Sequence, residues 1–414
     1  LTTPPTPALV EHFFRHEYAR LVASLTRRFG VRHLGLAEDA VQAAVERALR
    51  SWSLRGVPDQ PAAWLHQVAY RHALDALRRD LRWTPLHVSR STDWPTASPP
   101  PLVEAEVQDD LLRMIFVCCD PVLSQEQMVA LALKTLCGFG PKEIARAFLT
   151  TEANILKRIT RAKERLRATS IDPTALSADD IRTRLPDALA VVYLLFNEGY
   201  SSTQPDQVIR EDLCEEAVRL ALLLAEHPLT AGTETAAFLA LLLFHAGRLA
   251  GRTGPTGDLC LLEDQDRAAW DWRLLAEGFR WLKLATTGEV VTRYHAEAWM
   301  AAEHCRAPDY QHTDWAAIVD AYELLLKLAP SPVHELNRAI AISRRDGVEA
   351  GKQALAQIPP DHIPDTYYLW HATLAEFALA SNDPAATRAS LLRARELAPT
   401  VAERELLDRR LAAL

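Results

Sequence analysis

Residues 141–167 read PKEIARAFLTTEANILKRITRAKERLR, two short helical runs meeting at a tight corner. In the first run Ile144, Ala145 and Phe148 form an apolar face, and Ile155 and Ile159 return it on the second, with Ala145 small enough to let the two helices approach. Thr150 or Thr151 is placed to cap the second helix, and Glu152 falls in its first turn, where the helix dipole favours an acid. Leu149 stands where a turn of this kind often has glycine. After Ile155 the second helix carries six Lys or Arg residues against one acid, and Asn154, Lys157, Arg158, Arg161, Lys163 and Arg165 cover its non-core surface. Such a helix fits the groove-lying partner of a helix-turn-helix, with cations for phosphates and polar groups for base edges.

The surrounding chain makes that helix conspicuous. The 414 residues carry a net charge of −8, yet residues 1–170 hold 23 Lys and Arg against 18 Asp and Glu, a net of +5, and residues 171–414 hold 23 against 36, a net of −13. An acidic bulk therefore hides a basic N-terminal part. Hydrophobic residues make up 49% and only 15 residues are glycine, the composition of a globular chain with several cored domains. No apolar run approaches the roughly 20 residues a bilayer span needs, and LTTPPTPALVEHFF has neither the basic nor the apolar segment of a signal peptide. These features place the chain in the cytoplasm with no membrane partner. The six cysteines (118, 119, 137, 214, 260 and 305) show no CxxC spacing and read as reduced, mostly buried small hydrophobes, with no disulfide or metal site.

Working outward, the period of apolar residues is helical throughout. Phe13, Phe14, Leu21, Leu25 and Phe29 recur at three- and four-residue spacing, and Leu36, Val41, Val45, Leu49 and Trp52 continue the stripe to a break at Val57-Pro58. The pattern restarts at Pro61 with Trp64, Leu65, Val68, Leu74 and Leu77. The stretch TPLHVSRSTDWPTASPPP, with five prolines and no apolar period, reads as an extended linker. The expected organisation is all-α: a helical domain at 8–83, a Pro-rich linker at 84–103, a second helical domain with the opening motif at 104–170, and a helical extension at 171–414. Within that extension WAAIVDAYELLLKLAPSP and PAATRASLLRARELAPTV share one pattern, with Pro330 and Pro399 in equivalent places, and echo the second helix of a tetratricopeptide repeat.

Three motifs now agree in order and spacing: GLAEDAVQAAVERALRSW, PAAWLHQVAYRHALDALRRDLRW and, after the linker, EIARAFLTTEANILKRITRAKERLR. Over about residues 10–170 the chain resembles the extracytoplasmic-function sigma factors of bacterial RNA polymerase. The remainder, with YLLFNEGYSS and LLEDQDRAAWD, resembles the long helical extension of one subgroup. The resemblance implies that Asp39 and Gln42, with Glu46 and Arg47 alongside, dock on the core polymerase; an acidic and amide face suits an Arg-rich partner. It implies that Trp64 to Trp83 opens and reads the −10 promoter element through Gln67, Arg71, Arg78 and Arg79 and the aromatics Trp64, Tyr70 and Trp83, although Trp64, on an apolar stripe, reads as core rather than as a base platform. It assigns −35 DNA to Glu152, Asn154, Lys157, Arg158, Arg161 and Lys163. A protein or small-molecule regulator acting through the extension is a further implied partner.

The extension itself holds no catalytic signature: no Gly-rich phosphate loop, G-x-S-x-G elbow or metal-spaced His/Cys cluster. His295 and His304, nine residues apart, fall about half a turn out of phase at ~100° per residue and face opposite sides of their helix. Gly199 in FNEGYSS is a candidate helix C-cap, and Asp264, Asp266, Arg267 and Asp271 around Trp270 and Trp272 form either a helix start or an interaction surface. The expectation is a non-enzymatic promoter-specificity subunit without cofactor; the alternative is a DNA-binding head fused to a C-terminal enzyme or ligand-sensing domain.

Overall fold

In a computed structural model the described residues are 7–83, 104–147, 150–169, 176–201, 209–254, 257–359 and 362–414. The linker expected at 84–103 and the corner residues Phe148 and Leu149 lie outside them. Among the described residues the regular elements are helices, apart from one isolated bridge between Thr253 and Leu259. The chain divides into two compact units, one of residues 1–194 with 227–230 and one of 195–226 with 231–414.

The first unit opens with α1 (Pro7–Phe29), α2 (Leu34–Arg55) and α3 (Pro61–Trp83). Leu21 and Leu25 of α1, Ala37, Val41, Ala44 and Ala48 of α2, and Leu65, Ala69, Tyr70 and Ala73 of α3 are all buried; small residues on α2 let the three helices close on one core. Gly56 ends α2 at φ 81, a left-handed conformation that favours glycine, while its N–H returns to the Trp52 carbonyl at 3.0 Å. There follow α4 (Glu104–Cys118), α5 (Gln125–Leu136), α6 (Pro141–Ala147), α7 (Glu152–Thr169) and α8 (Ala178–Tyr200). Residues 112 and 114–119 of α4 and its end form a second buried layer. Asp110 of α4, buried, binds Arg27 of α1 at 3.1 Å. Both expected N-terminal domains therefore lie in one unit. The unit continues through Leu194, so its boundary falls inside α8, beyond residue 170.

In the second unit α9 (Glu211–Glu226) and α10 (Thr233–Gly247) precede α11 (Trp272–Ala285) and α12 (Arg293–Arg306). Residues 235–244 of α10 are all buried, as befits a helix that is apolar on every side. Then come α13 (Trp315–Leu328), α14 (Pro332–Asp346), α15 (Val348–Leu355), α16 (Tyr368–Ala380), α17 (Pro384–Leu397) and α18 (Val401–Ala412). Their cores form a series: Met300, Ile318 and Leu325 with Ala341; Leu336 and Leu355 with Phe377; Ala375, Leu391 and Leu407. Each cluster joins helices to their neighbours in sequence, the nearest-neighbour logic of a helical array.

Gly199 is not a C-cap. It sits inside α8, where a Cβ would lie 2.8 Å from the Arg210 carbonyl oxygen and from the Cys214 nitrogen and sulfur. The start of α9 packs directly on its bare backbone, with the Arg210 N–H on the Gly199 carbonyl at 2.7 Å. The acidic run around Trp270 resolves as helix starts: Asp266 accepts from the Ala268 N–H at 2.9 Å, and Asp271 caps α11 through the N–H groups of Arg273 and Leu274.

Candidate functional site

On α2, Asp39, Gln42, Glu46 and Arg47 are all exposed. Steps of three and four residues set Asp39, Gln42 and Glu46 on one face, where the Gln42 amide lies 3.5 Å from Glu46 and Arg50 lies 3.9 Å from it. Leu49, assigned to the core by its spacing, is 53% exposed on this same face, and Leu54 near the end of α2 is 86% exposed. This face combines acids, an amide and uncovered leucines, and Leu49 is the member that sequence periodicity hid.

On α3, Arg71, Arg78 and Arg79 are exposed and Gln67 is half-buried. Arg78 lies 3.7 Å from Asp75. Tyr70 is no stacking platform: it is 1% exposed, with its ring 5.6 Å from Phe29. Trp64 is half-buried against Trp52, ring centroids 5.5 Å apart. The reason is phase, since Tyr70 shares the inward stripe with Leu65, Ala69, Ala73 and Leu74, whereas the arginines stand outside it. Burial pushes the neighbouring His66 imidazole down to about 4, so it stays neutral in the folded protein.

Beyond Phe148 and Leu149, which lie outside the described residues, the start of α7 is capped. Thr151 is the cap, its hydroxyl accepting the Asn154 N–H at 3.2 Å, and the Asn154 side chain donates to Thr150 at 3.2 Å. Glu152 opens α7, and Ile144, Ala145, Ile155 and Ile159 are buried between the helices. The cations divide into two groups. Lys157 and Arg161 are exposed and make no ion pair or hydrogen bond among the described residues. Arg158 binds Glu126 of α5 at 3.0 Å, and Arg165 donates to the Val122 carbonyl and to Gln127 at 3.1 Å each. Arg167 donates to the Arg32 carbonyl at 3.0 Å, and Lys163 is paired with Glu38.

Glu38 went unremarked in the sequence. It neighbours Asp39 but points inward, three residues before Val41 and seven before Val45, a phase that would have revealed it. Its side chain is 5% exposed and accepts from the Thr135 hydroxyl of α5 at 3.0 Å as well as from Lys163. One buried carboxylate on α2 thus holds α5 and α7, so that Asp39 and the exposed cations of α7 belong to one braced assembly.

The two histidines of α12 have separate surroundings. His295 Nδ1 accepts the Thr292 N–H at 3.1 Å in a capping box, and His304 packs edge-on to Trp315 at 5.5 Å. No group of three metal-ligating side chains occurs among the described residues, and none of their cysteines is disulfide-bonded. Burial pushes the Cys118 and Cys119 thiols up, which keeps both in the unreactive thiol form.

A family model described as Sigma-70 region 2 matches residues 14–84, the stretch that forms α1 to α3. A family of unknown function, DUF6596, matches residues 184–286. The uncharacterized protein R00370 of Rhizobium meliloti (strain 1021) is 40% identical over 344 residues, covering 82% of this chain and 80% of its own length. No solved structure matches the chain.

Proposed function

We propose that the chain, whose residues 14–84 match Sigma-70 region 2, is a sigma-70 family factor that acts as a promoter-specificity subunit of the extracytoplasmic-function type. In this reading it binds core RNA polymerase through α2 and directs initiation at promoter DNA. The observation that carries it is the open polar face of Asp39, Gln42, Glu46 and Arg47 within the segment matched to sigma-70 region 2. Arg71, Arg78 and Arg79 supply cations for the −10 element, which the half-buried Gln67 adjoins. The α6–α7 pair acts as a helix-turn-helix on the −35 element, with Lys157 and Arg161 as its free phosphate contacts and Asn154 and Glu152 at the groove-facing end. Arg158 and Lys163, tied to Glu126 and Glu38, hold α7 in place and contribute less directly to DNA. The role needs neither catalytic centre nor cofactor, and it belongs in the cytoplasm.

The extension acts as a tetratricopeptide-like array that braces this head. Support comes from Arg184 at its start, which is buried in the first unit against Asp120 at 2.8 Å. The test is co-elution of the purified chain with core RNA polymerase. Asp39→Arg combined with Gln42→Ala should abolish co-elution and leave helix content and thermal unfolding unchanged, because both side chains are exposed. A double variant that still competes for core as well as the parent chain would remove the docking assignment.

A further inference from the structure

Three separated pieces of the second unit meet at one point and bring positive charge with them. The end of α10 and the turn after it supply His245, Arg248 and Arg252; the short helical turn at Arg267–Ala269 supplies Arg267 and leads into Trp270; the end of α12 supplies His304. The junction is fixed by backbone. The Asp271 N–H donates to the Gly247 carbonyl at 2.8 Å, and the Cys305 thiol lies 3.9 Å from the Phe244 carbonyl. Arg267 Nη1 donates to the carbonyls of His304 and Ala307 at 2.7 Å each. Gly251 has no Cβ to keep the Trp270 indole away: one built there would be 2.6 Å from Trp270 Nε1. The Arg267 guanidinium lies over the Trp270 ring, 4.5 Å from its centroid.

What this junction lacks is a counter-charge. Among the described residues no carboxylate comes within ion-pair distance of Arg248, Arg252 or Arg267. Arg252 is satisfied by the Tyr200 carbonyl and by that residue's ring at 3.8 Å. Arg248, only 4% exposed, reaches just the His245 imidazole, Nη2 to Nδ1 at 2.9 Å. The nearby acids are otherwise engaged: Asp266 and Asp271 cap helix starts, and Asp309 holds His312 at 2.8 Å on the surface. Four side-chain nitrogens around the junction are sealed from solvent without any hydrogen-bond partner: Arg248 Nε, Arg267 Nη2, Trp270 Nε1 and His304 Nδ1.

A buried guanidinium without a partner costs several kcal/mol, and a second one beside it adds repulsion. The strain shows in the imidazoles. Burial, then Arg248 and Arg267, push His304 down to about 3, and burial with Arg248, Arg252 and His304 holds His245 well below its usual range. Buried donors left over in such numbers call for a missing ion, and guanidinium and indole N–H groups match the lone pairs of an oxyanion.

We propose that Arg248, Arg267, Trp270 and His304 form the binding site of a small oxyanion, a phosphoryl or carboxylate group borne by a small molecule. Arg267 and His304 are half-buried, and Arg267 lies on a turn whose Asp266, Ala268 and Ala269 are exposed, so ligand enters beside that side chain. The site lies wholly in the second unit and does not depend on the sigma-factor reading of the first.

The test is thermal unfolding of the full chain, titrated with inorganic phosphate or with citrate at ionic strength held constant by sodium chloride. Citrate reports a carboxylate ligand and phosphate a phosphoryl one. At about a hundredfold excess over Kd one of the two should raise the melting temperature of the wild-type chain by about 5 °C, saturably. Arg248→Met should lose that rise while melting no lower than wild type in chloride alone, because it removes an uncompensated buried charge. Should Arg248→Met fail to fold, Trp270→Phe removes one donor at small cost in volume and should weaken the response at least threefold in apparent Kd. Equal rises in wild type and variant, or no saturable rise with either anion, would overturn the site.

Discussion

The tie between Glu38 and Lys163 joins α2 to α7 within the first unit, and its strength can be worked from its surroundings. Side-chain exposures of 5% for Glu38 and 20% for Lys163 put the pair between a surface bridge, worth under ~1 kcal/mol, and a fully buried one, whose disruption costs about 3–5 kcal/mol. Glu38→Gln keeps an acceptor for the Thr135 hydroxyl and leaves Lys163, on its flexible stem, able to turn its ammonium to water. It should cost about 2 kcal/mol, the range of a hydrogen bond to a charged group. Lys163→Met is the harsher change, because Glu38 cannot reach water and retains only Thr135. It should cost about 3–4 kcal/mol. The double variant should cost less than the sum, with an interaction energy of about 2 kcal/mol. Urea unfolding of the four proteins, analysed for the transition of the first unit, measures this cycle. An interaction energy below about 0.5 kcal/mol, the ordinary error of additivity, would show that α2 and α7 are not held together by this carboxylate, and the braced assembly inferred from it would fall.

Two further outcomes follow from the same surfaces. Lys157→Ala with Arg161→Ala should lower the slope of log affinity for duplex DNA against log salt by roughly two, about one for each phosphate that is no longer neutralised, whereas Arg158→Ala, whose partner is Glu126, should change it by less than about 0.5; filter binding across a salt series separates the two. The buried His66 is neutral in the folded chain down to about pH 4 but takes a proton near pH 6.5 when unfolded. Its contribution is therefore fully present above pH 6.5 and is lost as pH falls toward 4, at about 1.4 kcal/mol per pH unit. Urea midpoints from pH 8 to 4.5 should fall less steeply in His66→Leu than in the wild type.

Periodicity made the helical class and the buried packing of Ile144, Ala145, Ile155 and Ile159 legible, because each apolar stripe spans several turns and phase errors average out, but it suggested about four helices before residue 83 where the structure has the three long ones α1 to α3. Single residues fared differently. Leu49 fits the stripe of α2 at the end of its run, where a small drift in phase turns it to solvent. Tyr70 and Trp64 look alike as aromatics on an amphipathic helix; the phase of Tyr70 with Leu65, Ala69, Ala73 and Leu74 sets it in the core against Phe29, while Trp64 is half-buried against Trp52. Gly199 invited a C-cap reading because glycine often ends helices, but the close approach of Arg210 and Cys214 is a tertiary demand with no local signature. The fate of the cations on α7 was likewise hidden: Arg158 and Lys163 are bound by acids far away in sequence, Glu126 and Glu38. The oxyanion site was illegible for the same reason, since Arg248, Arg267 and His304 are brought together only by the fold.

The charge asymmetry of the chain takes on a sharper meaning beside these pairings. The basic surplus before residue 170 is not carried evenly by its cations, because several are matched by acids of the same segment, Arg27 by Asp110, Arg158 by Glu126 and Lys163 by Glu38, which leaves the net charge on others such as Lys157 and Arg161. The acidic remainder is not merely its shield either, since the first cation to cross the apparent boundary, Arg184, runs the other way. It lies in the part of the chain whose balance is negative, yet it is buried against Asp120 and also donates to the Phe116 carbonyl at 3.3 Å. Asp120 has no other cation among the described residues, and its second oxygen is committed to the Val122 N–H at 2.9 Å. A head cut after its last basic helix would therefore keep a buried carboxylate and lose the group that neutralises it, at a cost comparable to breaking any buried ion pair. The residues up to the boundary inside α8 are thus structural components of the first unit, since Arg184 leaves its place only by stripping Asp120 of its counter-charge.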